Sequence, residues 1–351
     1  MTPVAATGVV PHLTPVLPVP RGPLSAAVVS ALAKDPSNPP EPLPPHDVDR
    51  IDPYGEDLTL ALHTCYELHY RGFAGVDPLW EWDPELLRFR AVMERVFLTA
   101  LRSDAVGGGG DGNDVASALD ALLVEPVPGD GVSHFLRDSA DWGQVREYFA
   151  HRSVYHLKEA DPHAWVIPRL QGQAKASLVA VEFDEFGGGR AENAHSQMFA
   201  DLLVGAGLSA AYLHYVDDVP APALALVNLM SMFGLHRRLR GALVGHFAAA
   251  EISTAPSAQR IAQALERLGA DPACTLFFTE HIEADAVHEQ VLRRDVIGDL
   301  LRREPDLAGD VVFGIAATEL LEGRLSAHLL TAWRTGTTSL RRALPEHSVG
   351  R

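Results

Sequence analysis

From residue 142 to residue 343 the sequence is a nearly unbroken series of helical patterns, and this feature constrains the fold most. Apolar residues recur three or four positions apart there, whereas the alternating runs typical of strands are short and rare. Residues 221–254 carry apolar side chains on most sides, which predicts one central buried helix. The chain is therefore expected to fold as an all-α protein.

The chain divides into three parts by composition. Residues 1–50 are rich in proline, which interrupts both helix and sheet, so this part is expected to be a disordered tail. Residues 51–135 hold shorter helical patterns and the glycine-rich linker "DAVGGGGDGND", and are expected to form an N-terminal helical region. Residues 136–351 hold the long series of helices and are expected to form the main domain.

Charge and cysteine content exclude several classes of function. The formal net charge of −17 disfavours nucleic acid and anionic membrane surfaces as partners. Two cysteines, Cys65 and Cys274, argue against a disulfide framework or a cysteine-rich zinc site. No run approaches the roughly 18 apolar residues of a spanning helix, and the N-terminus lacks a signal-peptide pattern. The expectation is a cytoplasmic protein without nucleic-acid or membrane partners.

Two helical segments carry metal-ligand residue types on one face. Glu192 and His195 stand at i and i+3, and His281, Asp285 and His288 stand at i, i+4 and i+7. The second set forms a stripe roughly 60° wide along its helix. Imidazole and carboxylate donors suit iron or manganese, and the lack of thiolates argues against an iron–sulfur cluster. The pattern predicts a metal site between helices.

Each of these signals has an ordinary alternative. A Glu-x-x-His pair also occurs by chance on solvated helices. The chain has sixteen histidines, most of which must be structural or exposed, and His163 and His246 are assigned to that class. The three glycines at 187–189 form either a simple loop or a break that brings Glu185 near His195.

The segments "YHLKEADPHAWVIPRL", "EFDEFGGGRAENAHSQMF" and "FFTEHIEADAVHEQ" resemble the haem-oxygenase-like diiron oxidases and oxygenases, also called iron-containing redox enzymes. The similarity runs from about residue 140 to 300, and the upstream "CYELHYRGF" is similar to the N-terminal helical part of longer members. The resemblance implies a haem-oxygenase-like bundle of about seven helices with an N-terminal helical extension. It places the diiron domain in residues 136–351.

The resemblance also implies a ligand set for two iron ions that cycle between Fe2+ and Fe3+ and use O2 as co-substrate. No catalytic residue is expected beyond these ligands. The implied metal ligands are Glu159, Glu185, Glu192, His195, His281, Asp285 and His288. Glu159 and Glu185 are 26 positions apart, so the chain must fold back between them, and Pro162 and Pro168 offer places for that.

By this resemblance the expected function is an O2-dependent non-haem diiron oxygenase that N-oxygenates an amine or amino acid in a biosynthetic pathway. One alternative is a diiron oxidase that desaturates or cleaves an aliphatic acid or amino acid. An alternative of another class is a non-catalytic helical binding protein. Candidate contacts to a small-molecule substrate are Tyr155, Trp165, Arg169 and Phe199. The reaction leaves room for an external electron donor, and the apolar helices after residue 308 could serve a homodimer.

Overall fold

A computed structural model describes residues 14–36, 51–105, 113–124, 127 and 129–345, with the side chains of 283–286 outside the description. Helices and turns make up this part of the chain, which contains no strand. The all-α expectation is therefore confirmed. Within the same residues, no helix combines the length and apolar character needed to cross a bilayer.

The helices are numbered α1–α14 in chain order. Helices α1–α5 are Pro23–Leu32, Glu56–Glu67, Pro84–Asp104, Val115–Leu122 and Val132–Asp138. Helices α6–α10 are Trp142–His156, Asp161–Ala164, Gly172–Glu185, His195–Gly205 and Ala221–Leu235. Helices α11–α14 are Arg240–Leu268, Pro272–Val291, Gly298–Arg303 and Ala308–Arg334. A π-helical turn, Leu292–Ile297, joins α12 to α13.

Helix α1 lies inside the part of the chain that was expected to be a disordered tail. Its proline, Pro23, stands at the first helical position, where no intrahelical N–H bond is lost. Leu24, Val28 and Leu32 are fully buried, and α1 packs against α2. Asp57 of α2 accepts bonds from the backbone N–H groups of Leu24 and Ser25 at 2.9 and 2.8 Å. The tail expectation is therefore wrong for this helix, because proline density concealed a short apolar stripe.

The expected single helix over residues 221–254 is two helices. Helix α10 ends at Leu235, and His236 has extended backbone angles before α11 begins at Arg240. The Arg169 guanidinium binds the carbonyls of Gly234 and Leu235, the latter at 2.8 Å. Because these are terminal carbonyls without helical partners, Arg169 caps the C-terminus of α10. The apolar pattern continues across the break, which is why the sequence concealed it.

Helices α11 and α14 pack together at two glycines. A Cβ atom on Gly245 would overlap the carbonyl of Val311, and one on Gly314 would overlap the carbonyl of Ala242. The two backbones therefore approach as closely as hydrogen side chains permit. Helix α12 packs on another side of α11, so α11 lies between two long neighbours.

The hydrophobic core contains residues from both before and after residue 135. One cluster joins Leu58, Leu62 and Phe97 from the N-terminal region to Phe233 and Phe247 of the later helices. The N-terminal helices thus share a core with the rest of the chain. The boundaries expected at 50 and 135 remain predictions about folding units.

Candidate metal centre

The first ligand candidate lies in a tight turn after α6. Glu159 follows the end of α6 by three residues, and Ala160 has a left-handed φ of 74°. Lys158 forms a buried ion pair with Glu67 of α2. This pair anchors the turn to the N-terminal region, and the chain then reverses through α7 and a 3-10 turn at Ile167–Arg169. The reversal expected between Glu159 and Glu185 is present.

The glycines at 187–189 make the second reversal. All three have positive φ, and a Cβ on Gly187 would lie 2.5 Å from the backbone nitrogen of Ala194. The loop between α8 and α9 therefore folds back on itself at Gly187. As a result Glu185, the last residue of α8, faces His195, the first residue of α9.

Two groups of three buried residues lie at the resulting helix junction. The Glu159 group contains Glu159, His195 and His281, and the Glu251 group contains Glu185, Glu251 and His288. Within each group the candidate ligand atoms all lie within 4.8 Å of one another. Helix α12 contributes a histidine to both groups, seven residues apart, and α11 contributes Glu251.

Glu185 lies between the two groups. Its Oε2 is 2.8 Å from His195 Nδ1, and its Oε1 is 3.5 Å from His288 Nδ1. Glu251 Oε2 lies 3.0 Å from the same His288 nitrogen. A carboxylate whose two oxygens face different ligand groups has the geometry of a bridge between two cations.

A backbone contact sets the orientation of His281. Its Nδ1 donates to the Phe277 carbonyl at 2.6 Å, because a carbonyl can only accept. The other ring nitrogen, Nε2, lies 3.8 Å from Glu159 Oε1. Metal-binding histidines commonly donate the other ring N–H in this way, which fixes the tautomer suited to a ligand.

The pKa values of Glu159 and Glu182 are shifted in opposite directions. Burial favours a raised pKa for Glu159, but His156, whose Nδ1 lies 2.6 Å away, and His281 outweigh it and lower that pKa. Burial, with the charges of Glu185 and Glu251, raises the pKa of Glu182 to about 9. The region thus carries more buried acid than its protein partners neutralise.

The donor set fits a pair of metal ions. Among the described residues, Glu159 Oε2 and both oxygens of Glu182 are buried without a hydrogen-bond partner. His195 Nδ1 also makes no hydrogen bond there, although Glu185 Oε2 is 2.8 Å away. Buried polar atoms left in this state are costly unless a cation or another partner satisfies them. Three carboxylates and three imidazoles, with no thiolate, match the preferences of iron.

The structure brings together five of the seven ligand candidates drawn from the sequence. Glu159, Glu185, His195, His281 and His288 fall in the two groups. Glu192 is exposed on the loop before α9 and belongs to neither group in this structure. The side chain of Asp285 lies outside the described part of the structure.

Glu251 is the ligand candidate that sequence reasoning missed. It is buried on α11, a helix that carries none of the ligand motifs singled out in the sequence. The available signal was the charge itself, a single glutamate in the apolar run "HFAAAEIS". A buried acid on such a helix needs a partner, and that partner proves to be the metal-ligand groups.

A cavity of about 610 Å³ opens beside the two groups. Its inner wall includes Glu159, Glu185, Glu251 and His281, and its outer end reaches Ser133 and His134 of α5. The volume is in the range of a small-molecule site.

The four substrate-contact candidates have different surroundings. Tyr155 lines the cavity, and burial with four nearby glutamates raises its pKa well above the ordinary value. Phe199 packs behind the ligands, with its ring 5.1 Å from that of Phe277. Trp165 and Arg169 are not among the lining residues, and Arg169 is engaged in capping α10.

Comparison with known proteins agrees with this geometry. The family model described as iron-containing redox enzyme matches residues 146–323, just over half of the chain. Nitrosourea synthase of Streptomyces achromogenes subsp. streptozoticus is 28% identical over 166 residues, which cover 47% of this chain. The same alignment spans 35% of that relative, so about a third of its length is represented.

Proposed function

The chain belongs to the iron-containing redox enzymes, and from that premise we propose that it is a non-haem diiron oxygenase which transfers oxygen to the nitrogen of an amine or amino acid. The observation that carries the proposal is the pair of adjacent buried ligand groups that share Glu185. Two irons held there would supply the reduction of O2 and the oxidation of the substrate.

The protein's own residues have three tasks in this proposal. The Glu159 group and the Glu251 group would each hold one ion, with Glu185 between them. The Phe277 carbonyl keeps His281 in the ligand tautomer. Phe199 is buried and is not among the cavity-lining residues, so it excludes water behind the ligands, and the open approach is from the cavity.

One observation favours nitrogen as the site of oxygenation. Nitrosourea synthase is named for a product whose nitrogen carries oxygen, and it is 28% identical to this chain over 166 residues. The substrate itself is proposed only as a small amine or amino acid.

The test begins with anaerobic loading of the purified protein with ferrous iron. We expect about two irons per chain, and O2 consumption in a screen of amines, amino acids and fatty acids. A product mass that gains oxygen on nitrogen supports the proposal. Loss of two hydrogens or of a carbon fragment supports instead the oxidase alternative, and a protein that takes up no iron supports the non-catalytic one.

Variants connect the result to the site. His281→Ala is expected to lower the iron content and abolish O2 consumption, since it removes a ligand candidate from α12. His214→Ala is the matched control, because His214 is exposed and lies in neither group. Full iron content and activity in His281→Ala would remove that helix from the proposed centre.

A further inference from the structure

Two buried histidines outside the ligand groups face each other across the cavity wall. His163 of α7 and His246 of α11 are 2% and 1% exposed, and their ring centroids are 5.3 Å apart. Both line the cavity that also reaches Glu159 and Glu251. Burial lowers the pKa of His246 to about 4 and that of His163 well below its ordinary value, so both rings are neutral near pH 7.

The hydrogen bonds of Thr318 determine the tautomer of His246. The Thr318 hydroxyl lies 2.7 Å from the Gly314 carbonyl, a contact that requires the hydroxyl proton to be donated there. The same hydroxyl lies 2.8 Å from His246 Nδ1, and it has no second proton to give. His246 therefore donates from Nδ1, and its Nε2 carries a lone pair.

That lone pair has no hydrogen-bond partner among the described residues. The nearest acidic candidate, Glu322, is held by Arg152 through two bonds of 2.7 and 2.8 Å, and as a carboxylate it has no proton to donate. Neither ring nitrogen of His163 has a partner in the same set. A buried acceptor in this state is satisfied when a ligand brings a donor to it.

We propose that His246 Nε2 is a recognition site for an N–H or O–H group of the substrate, and thus a residue that determines specificity. The proposal rests on the proposed function only for the reaction that follows binding. A carboxylate end is disfavoured at this position, because its lone pairs would meet the lone pair of Nε2. His163, which has one N–H and one acceptor, can contact the same group from the facing wall.

The position of His246 also sets the distance between the two ends of the ligand, one at His246 and the other at the metal-ligand groups. It precedes Glu251 on α11 by five residues, about 7.5 Å along the helix axis. A substrate nitrogen near the ligand groups and a donor at His246 would then be several bonds apart. The ligand class is a small amine that bears a second, hydrogen-donating group at its other end.

The test uses metal-free protein and two probes, 6-aminohexan-1-ol and its O-methyl ether, in which a methyl group replaces the hydroxyl hydrogen and removes the hydrogen-bond donor. The ammonium end of each is drawn to the carboxylates of the inner cavity, which leaves the other end for His246. We expect aminohexanol to bind roughly three- to tenfold more tightly, the effect of one added hydrogen bond. Nitrogen-15 spectra of labelled histidine should show His246 protonated at Nδ1, with Nε2 shifted by aminohexanol.

The matched variant is His246→Asn, whose amide can keep the bond to Thr318 but has no atom at the Nε2 position. In this variant the two probes should bind equally. A His246 protonated at Nε2, or equal binding of the probes to the unmodified protein, would overturn the proposal. Because metal-free protein is used, neither result depends on whether the iron-loaded protein turns over.

Discussion

At the scale of single residues, the histidines of this protein are distinguished by what their ring nitrogens contact. His281 donates to a backbone carbonyl and turns Nε2 toward Glu159, whereas His246 donates to Thr318 and turns Nε2 toward the cavity. The sequence could identify His281 because its spacing on α12 is regular. It could not identify His246, whose role depends on Thr318, 72 positions away.

Gly187 offers a test of the loop between α8 and α9. Gly187→Ala should lower both iron content and stability, because the new Cβ meets Ala194 and φ is 79°. The expected cost is about 2–4 kcal/mol, from backbone strain together with the overlap. Gly188→Ala is the control, since its φ is 62° but its Cβ would make only an ordinary contact, 3.9 Å from the Phe183 ring. Urea unfolding and iron analysis measure both, and equal behaviour of the two variants would contradict the account.

His151 links stability to pH. Burial, with the nearby charges of His328 and Arg152, lowers its pKa to about 3, against about 6.5 in the unfolded chain. The unfolded chain therefore binds the proton first as pH falls. The contribution of His151 is fully present above about pH 6.5 and is lost progressively toward pH 3.

At pH 5 this loss is about 2 kcal/mol relative to neutral pH. His151→Gln has no such titration, so its unfolding free energy should fall by about 2 kcal/mol less between pH 7 and pH 5. Urea denaturation at the two pH values measures the difference. The same pH dependence in both proteins would show that His151 is not held neutral.

At the scale of elements, the turn that carries Glu159 depends on α2. Lys158 and Glu67 are both buried and ion-paired, and the Tyr212 hydroxyl donates to the other Glu67 oxygen at 2.5 Å. The Lys158 ammonium also lies 4.1 Å from the centre of the Tyr70 ring. A long-range, fully buried pair of this kind fixes the position of the turn.

Lys158→Met should destabilise the protein by about 3–5 kcal/mol, because it leaves the Glu67 charge buried without its cation. Adding Glu67→Leu should restore part of that loss, since the orphaned charge is then gone. The control is Arg88→Met, which removes an exposed pair with Glu85 and should change little. Unfolding free energies of the single and double variants give the coupling, and additive losses would argue against the pair.

Helical periodicity predicted the existence of most elements but not their ends. The apolar pattern of 221–254 continues through the break at His236, which is set by Arg169 from a distant turn. The prolines predicted a disordered tail in the region that contains α1. Local composition carries no information about the packing of α1 against α2, which stabilises that helix. Ends and docking depend on tertiary contacts that the local sequence does not contain.

At the scale of the whole molecule, the family match begins at residue 146, whereas the core begins much earlier. Residues such as Leu58, Tyr66 and Phe97 are almost completely buried against the later helices. The sequence suggested three parts by composition, but burial between them cannot be read from composition.

A fragment of residues 136–351 should therefore fail to fold. It would expose the apolar surface that α1, α2 and α3 cover, including several fully buried large side chains. Circular dichroism during heating should show no cooperative transition for the fragment and a sharp one for the full chain. A cooperative transition with normal iron uptake in the fragment would instead establish 136–351 as an independent domain.

The close contact between α11 and α14 at Gly245 and Gly314 also affects the orientation of His246. The reach from His246 to Thr318 exists because Gly245 and Gly314 let their helices touch. One added methyl at either glycine would overlap a backbone carbonyl of the facing helix, so the helices would have to separate and the contact between His246 and Thr318 would lengthen. The tautomer of His246 thus depends on two glycines that are not among the cavity-lining residues.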